Sequence, residues 1–156
     1  MFCKESGFKG EEPMTIARII EGRSGSQVIS CDSNATMREA VALLADKRIG
    51  AVPVMRGGSV VGIFSERDVI YKLAHEGEVC LNRPLEEVMT APPITVEPTT
   101  LINDALALMT RRRIRHLPVL EDGAMVAFIS IGDLVKFHTD EIEREAEAMR
   151  EYIQTA

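Results

Sequence analysis

The stretch Val61-Gly62-Ile63-Phe64-Ser65-Glu66-Arg67-Asp68 runs apolar for four residues and then turns polar at a serine. A short apolar run closed by Ser, with an acid three residues on, reads as a buried strand feeding into a helix that Ser65 caps. Taken once, the pattern is explained by capping alone: Ser65 and Asp68 would satisfy first-turn N–H groups and offset the helix dipole, contributing roughly 1 kcal/mol.

The pattern occurs twice. Val126-Ala127-Phe128-Ile129-Ser130-Ile131-Gly132-Asp133 repeats it, and Asp133 lies 65 residues after Asp68. The same offset pairs Ala40 with Ala105, Leu43 with Leu108, Ile49 with Ile114, Pro53 with Pro118, Gly58 with Gly123 and Ser65 with Ser130. A constant register over this length marks a duplicated supersecondary unit, whose two copies stack to cover each other's apolar faces.

Periodicity fills in the unit. Ala40, Leu43 and Leu44 give the i, i+3, i+4 spacing of a half-buried helix over 36–47. Ala51 to Met55 and Ser59 to Phe64 are strand-like runs joined by a Gly-Gly turn, and the helix opened by Ser65 would turn Val69, Ile70 and Leu73 inward. A strand in Gln27 to Cys31 precedes them. The second copy repeats the order: strand Ile94–Val96, helix Leu101–Arg112, strand Arg115–Leu120, turn, strand Ala124–Ile129, helix from Ser130. Each copy is thus β-α-β-β-α, and the chain is of the mixed α/β (α+β) class. We expect a polar tail over 1–12, a first repeat over 13–81, a connector over 82–93 punctuated by Pro84, Pro92 and Pro93, a second repeat over 94–137 and a C-terminal helix over 138–156. Ile16, Ile19 and Ile20 mark a short helix after Pro13, broken by Gly22 to Gly25.

Composition narrows the function. The 156 residues suffice for one compact unit with a real core. Trp is absent and aromatics make up 4%, so that core must be aliphatic. The net charge of −6 argues against general affinity for nucleic acid, which needs basic residues to displace counterions. No apolar run spans a membrane and the N-terminus lacks a secretory apolar core, so a cytoplasmic location is expected. Cys3, Cys31 and Cys80 form neither a disulfide framework nor a zinc pattern, and Cys31 reads as a small buried hydrophobe. His75, His116 and His138 are too scattered for a metal site, and no nucleophile–base pair stands out.

The segments Arg48 to Val54 and Arg113 to Val119, each followed by its strand–Ser–Asp stretch, together with Val88-Met89-Thr90 before the second copy, resemble a tandem pair of cystathionine-β-synthase (CBS) domains. The resemblance covers about residues 14–137; Ala127 departs from it, standing where the family usually has glycine. It implies a pseudo-twofold disc with two clefts that commonly bind adenosine-containing ligands such as AMP, ATP, S-adenosylmethionine or NAD, and a role that is regulatory, with no catalytic residues. Carried over, one cleft would use Ile63, Ser65 and Asp68, closed by Thr100, Ala105 and Ile114. The other would use Phe128, Ser130 and Asp133, with Ala35, Ala40 and Ile49 opposite. Arg115 and His116 stand where the family often supplies a phosphate ligand, and Gly50 and Ala51 hold the matching places in the first copy.

The chemistry is consistent with that assignment. A carboxylate can accept hydrogen bonds from both ribose hydroxyls, and a helix N-terminus favours phosphate. Ala40 and Ala105 could leave room for a purine or serve close helix packing. Arg111 to Arg113 read as a solvated helix terminus. The Asp133 cleft is expected to be the better phosphate site because its copy carries Arg115, although the methyl of Ala127 works against it. The function expected is therefore an adenosine-nucleotide sensor, with AMP the first choice of ligand and ATP or NAD next. The alternative is a scaffold or dimerisation module with no bound nucleotide. Ile142, Ala146, Met149 and Ile153 follow a coiled-coil-like 4-3-4 spacing, so a homodimer is expected, along with a separate regulated protein.

Overall fold

Both copies leave their first long helix through the same backbone device. α2 (Met37–Lys47) and α5 (Ile102–Arg112) end at Arg48 and Arg113, whose φ angles of 53° and 54° lie in the left-handed region. The next residue closes the helix end: Ile49 N–H donates to Leu44 O at 3.1 Å and Ile114 N–H to Met109 O at 3.0 Å. A left-handed residue at this point satisfies the last carbonyls and turns the chain into a strand. These features come from a computed structural model, which describes residues 12–23 and 27–155. The expected tail up to residue 11, Cys3 and Gly25 lie outside the described residues.

The hairpins repeat as closely. Antiparallel β2 (Ala51–Arg56) and β3 (Ser59–Ser65) match β4 (His116–Glu121) and β5 (Ala124–Ser130), with a register shift at Val54/Met55 and again at Val119/Leu120. Gly57-Gly58 and Asp122-Gly123 turn with φ of 56°, 81°, 50° and 80°, the doubly positive geometry that suits strand twist in a two-residue loop. The strands expected at the edges are shorter than their patterns. Only β1 (Cys31–Asp32) pairs, parallel to β2. The expected strand Ile94–Val96 reduces to one parallel bridge between Val96 and Val119. Pro93 and Pro98 flank that bridge, and proline cannot donate to a ladder.

The two cores are built by exchange. The first copy's core joins Met37, Ala40, Leu44, Val52, Val54 and Phe64 to Cys80, Leu85 and Val88. The last two belong to α4 (Leu85–Val88), in the connector that precedes the second copy. The second core joins Ile102, Ala105, Met109, Leu117, Val119, Ile129 and Leu134 to Ile16 and Ile19 of α1 (Ile16–Glu21), which precedes the first copy. Backbone bonds fix the exchange: Ile16 N–H to Thr100 O at 2.9 Å, Ala17 N–H to Pro98 O at 2.8 Å, and Leu85 N–H to Ala35 O at 2.8 Å. Each copy is therefore completed by the segment leading into the other, and the two stand in pseudo-twofold relation.

Two helices differ from expectation. α3 (Glu66–Glu76) buries no residue fully: Val69 is half-buried, whereas Ile70 is 67% and Leu73 37% exposed. The expected inward face of α3 is thus largely uncovered in the single chain. α6 runs unbroken from Ile131 to Thr155, so no helix boundary falls near residue 138; after Gly132 no Gly or Pro interrupts it. Arg18 of α1 clamps its middle, donating from Nη2 to Glu141 Oε2 at 3.1 Å and stacking 5.5 Å over the Phe137 ring. Cys31 is only half-buried and Cys80 is the fully buried thiol, the reverse of the emphasis expected; burial first, and Glu39 second, push the Cys31 thiol above its ordinary value.

Candidate functional site

The N-terminus of α6 carries Asp133 on its first turn, directly after β5. The capping expected of this spacing is present: Ser130 N–H donates to Asp133 Oδ2 at 2.8 Å and Asp133 N–H returns a bond to Ser130 Oγ at 3.2 Å. A second partner was not foreseen. Arg23, just after α1, places its guanidinium across both carboxylate oxygens, Nη1 on Oδ2 at 3.1 Å and Nη2 on Oδ1. Partial burial alone would raise the Asp133 carboxyl, but the Arg23 guanidinium and the Ser130 N–H hold it below the ordinary carboxylate value.

Asp133 opens on a cavity of about 520 Å³, within the roughly 300–1,000 Å³ of small-molecule sites. Its apolar walls come from three places: Ile19 and Ile20 of α1, Val28, Ile29, Ile49 and Ala51 of the first copy, and Val126, Ala127, Phe128 and Ile129 of β5. Arg23, Gln27, His116, Ser130 and Asp133 supply the polar groups among the described residues, and Gly50 completes the wall. The His116 ring stacks on Phe128, centroids 5.5 Å apart and planes 14° from parallel. Burial pushes His116 below its ordinary pKa, against the opposing pull of Asp133 and Glu66 and with a smaller contribution from Arg115, which favours the neutral ring. A side chain at Gly50 would start 3.7 Å from the His116 ring and from the Glu66 carboxylate; this is where the two copies meet.

The equivalent surface of the first copy is covered. Ser65 N–H and Oγ both donate to Asp68 Oδ2, at 2.8 and 3.0 Å, and Thr90 Oγ1 donates to Asp68 Oδ1 at 2.9 Å. Thr90 also exchanges backbone bonds with Ile63, at 2.9 and 3.0 Å, while Met89 lies on Gly62. The connector segment Val88-Met89-Thr90 thus buries its valine, seats its methionine on the strand and occupies the free oxygen of Asp68.

Of the residues singled out from sequence, Ile49, Gly50, His116, Phe128, Ser130 and Asp133 share the Asp133 cavity. Ala40 and Ala105 are fully buried in their own cores, and Ala35 and Ile114 pack beside those cores. Ile63, Ser65 and Asp68 form the covered surface. Thr100 accepts the Glu97 N–H in its own turn, at 3.2 Å, and borders a separate, more polar pocket with Thr95 and Asp122. Arg115 is exposed and is not among the walls of the Asp133 cavity. The guanidinium there is that of Arg23, which no sequence signal points to: the 65-residue offset sets it opposite Val88, an apolar residue. Arg111 to Arg113 are exposed, as a solvated helix end should be.

Two interlocked β-α-β-β-α copies, with a cleft where a capped helix end of one copy faces a strand of the other, define a tandem-repeat module with an inter-repeat site. The CBS-domain profile matches residues 24–75 and 85–140, and the chain belongs to the CBS domain family, with two tandem copies. It is 33% identical, over 97% of its length and 76% of the relative's, to the mitochondrial CBS domain-containing protein CBSX3 of Arabidopsis thaliana. Among solved structures it resembles the CBS-domain containing protein ATU1752 of Agrobacterium tumefaciens, with 32% identity, TM-score 0.75, and coverage of 80% of this chain and 99% of that one. The CBS domain pair of protein MJ0100, solved with 5-methylthioadenosine and S-adenosyl-L-methionine, shares the fold at 22% identity and TM-score 0.71, over 83% and 99% of the two chains. CBS pairs are regulatory ligand-binding modules. Among the described residues no helix is long and apolar enough to cross a membrane.

Proposed function

We propose that this chain is a regulatory module that senses an adenosine-containing nucleotide in the Asp133 cleft, AMP before ATP, NAD or S-adenosylmethionine. The observation that carries the reading is a carboxylate at a helix N-terminus, set in the mouth of an otherwise largely apolar cavity of about 520 Å³. Asp133 supplies the acceptor for a ribose diol, the apolar walls suit a purine face, and the N-terminus of α6 and Arg23 favour an anionic group. The ligands of the MJ0100 pair share the adenosine part of this chemistry, its purine and ribose diol, and carry no phosphate.

The test is thermal unfolding with each nucleotide. AMP at a hundredfold excess over its dissociation constant should stabilise the protein by about 2.7 kcal/mol, and 2′-deoxy-AMP at the same concentration should stabilise it less. A second reading, a scaffold with empty clefts, is favoured by the capping bonds that Ser65, Asp68, Ser130 and Asp133 already make. An unfolding temperature unmoved by AMP, ATP, NAD and S-adenosylmethionine would select it.

A second copy of the chain is the proposed partner of the C-terminal half of α6. Beyond Glu141 that helix is exposed at every described residue, including Ile142 at 51%, Met149 at 64% and Ile153 at 70%, and an apolar stripe at coiled-coil spacing needs a covering surface. Light scattering should report twice the chain mass; a monomer at high micromolar concentration would overturn the pairing. In the proposed scheme the regulatory output passes to another protein.

A further inference from the structure

Arg23 occupies both oxygens of the carboxylate that the proposed function assigns to a ribose. With Oδ2 also bonded to Ser130 N–H, the carboxylate keeps one acceptor site, on Oδ1, where a diol needs two. A ribose can place both of its hydroxyls on Asp133 only by displacing Arg23. The residue is placed to allow this. Its backbone is held by an N–H bond to Ile20 O at 2.9 Å, at the end of a helix whose Ile16 and Ile19 are locked in the second core. Its side chain, by contrast, is 44% exposed and long enough to turn about that fixed base.

The displaced cation then sets the selectivity. Among the described residues Arg23 is the one permanent cation on the cavity wall; of the other charges that act on the wall residue His116, Asp133 and Glu66 are acidic and Arg115, outside the wall, contributes less. A neutral nucleoside that takes Asp133 leaves Arg23 without a partner beside the cleft, and loses a charge-assisted fork for bonds from two hydroxyls. A ligand that also carries a phosphate offers the freed guanidinium a planar, bidentate counterpart. We propose that Arg23 is the specificity-determining residue of this cleft: an internal stand-in for the ligand that rejects neutral nucleosides and admits those bearing an anionic phosphate.

The inference rests on the adenylate reading of the cleft, and calorimetric titration of adenosine and AMP into the full chain separates the two. Wild type should prefer AMP. In Arg23→Ala, adenosine should bind about tenfold more tightly and AMP about tenfold more weakly, each step corresponding to one charge-assisted hydrogen bond. Arg23→Lys, which keeps the charge and loses the fork, should retain a preference for AMP. Circular dichroism of each variant checks that the exposed substitution leaves the fold intact. An AMP-to-adenosine ratio unchanged by Arg23→Ala would overturn the inference and leave the nucleotide site standing. So would an equal gain for both ligands, which would make Arg23 a mere obstruction. Failure of AMP and adenosine to bind either wild type or variant would overturn the inference, and the same failure of ATP, NAD and S-adenosylmethionine would overturn the adenylate reading with it.

Discussion

Gly62→Ala should destabilise the protein by about 1–3 kcal/mol, the range of an overpacked core, although it adds a single methyl on a β-strand. A Cβ at Gly62 would stand 2.9 Å from Met89 Cγ and 2.9 Å from Thr90 O. The methionine can turn aside. The Thr90 carbonyl cannot, because it accepts the Ile63 N–H at 3.0 Å in a reciprocal backbone pair. At the matching position the second copy already carries Ala127, which lines the cavity and packs beside the second core. Ala127→Gly should therefore cost the backbone entropy of a glycine, about 0.5–1 kcal/mol, with a small addition for one half-buried methyl. Urea unfolding of the two variants checks the asymmetry. Equal losses would mean that the Met89–Thr90 crossing exerts no constraint on β3. The result would also explain why the family's glycine is dispensable in one copy: it is needed where a connector crosses the strand, as at Gly62.

Asp133→Ala should weaken AMP binding by about a hundredfold or more, since two charge-assisted hydrogen bonds of about 1.5–3 kcal/mol each are lost. Asp68→Ala should weaken it by less than about threefold, well below the value of one such bond. The two acids have the same helical position and the same capping serine; they differ in what covers them. Asp68 has its outer oxygen bonded to Thr90 under the connector, while Asp133 has only a side chain to displace before it meets the cavity. Calorimetry on both variants decides between them. Loss of AMP binding in Asp68→Ala with Asp133→Ala intact would reverse the assignment of the cleft, and would show that the connector yields to the ligand more readily than Arg23 does.

The placement of the candidate residues shows where local pattern stops being informative. The sequence marks Ile49, Gly50, His116, Phe128, Ser130 and Asp133, and they line one cavity, because each sits in a strand, on a first helical turn or in the short link from the left-handed helix end at Arg48 into β2. Arg115 and His116 were marked together, yet adjacent residues entering a strand point to opposite faces. His116 faces Phe128 and Arg115 faces away. The small residues Ala40 and Ala105 carry no record of which neighbour they admit; the structure packs them at 0% exposure inside their cores.

The amino-acid sequence by itself determined the duplicated backbone. The 65-residue offset carried the left-handed Arg48 and Arg113, the paired hairpin turns and the shared strand irregularity, because each depends on residues within a few positions along the chain. Tertiary structure alone decided what covers each apolar face. Periodicity shows that Ile16 and Ile19 share a stripe, but not that the stripe closes the second core instead of the first. The spacing of Ile70 and Leu73 likewise predicts burial that the single chain does not provide. Arg23 belongs to the same category. Its partner lies 110 residues away, and the two meet only because α1 is drawn across to the second copy, where burial of Ile16 and Ile19 sets the guanidinium over Asp133. Hydrophobic burial is non-directional, so a sequence can state the area to be covered while the choice of cover is settled by how the whole chain packs.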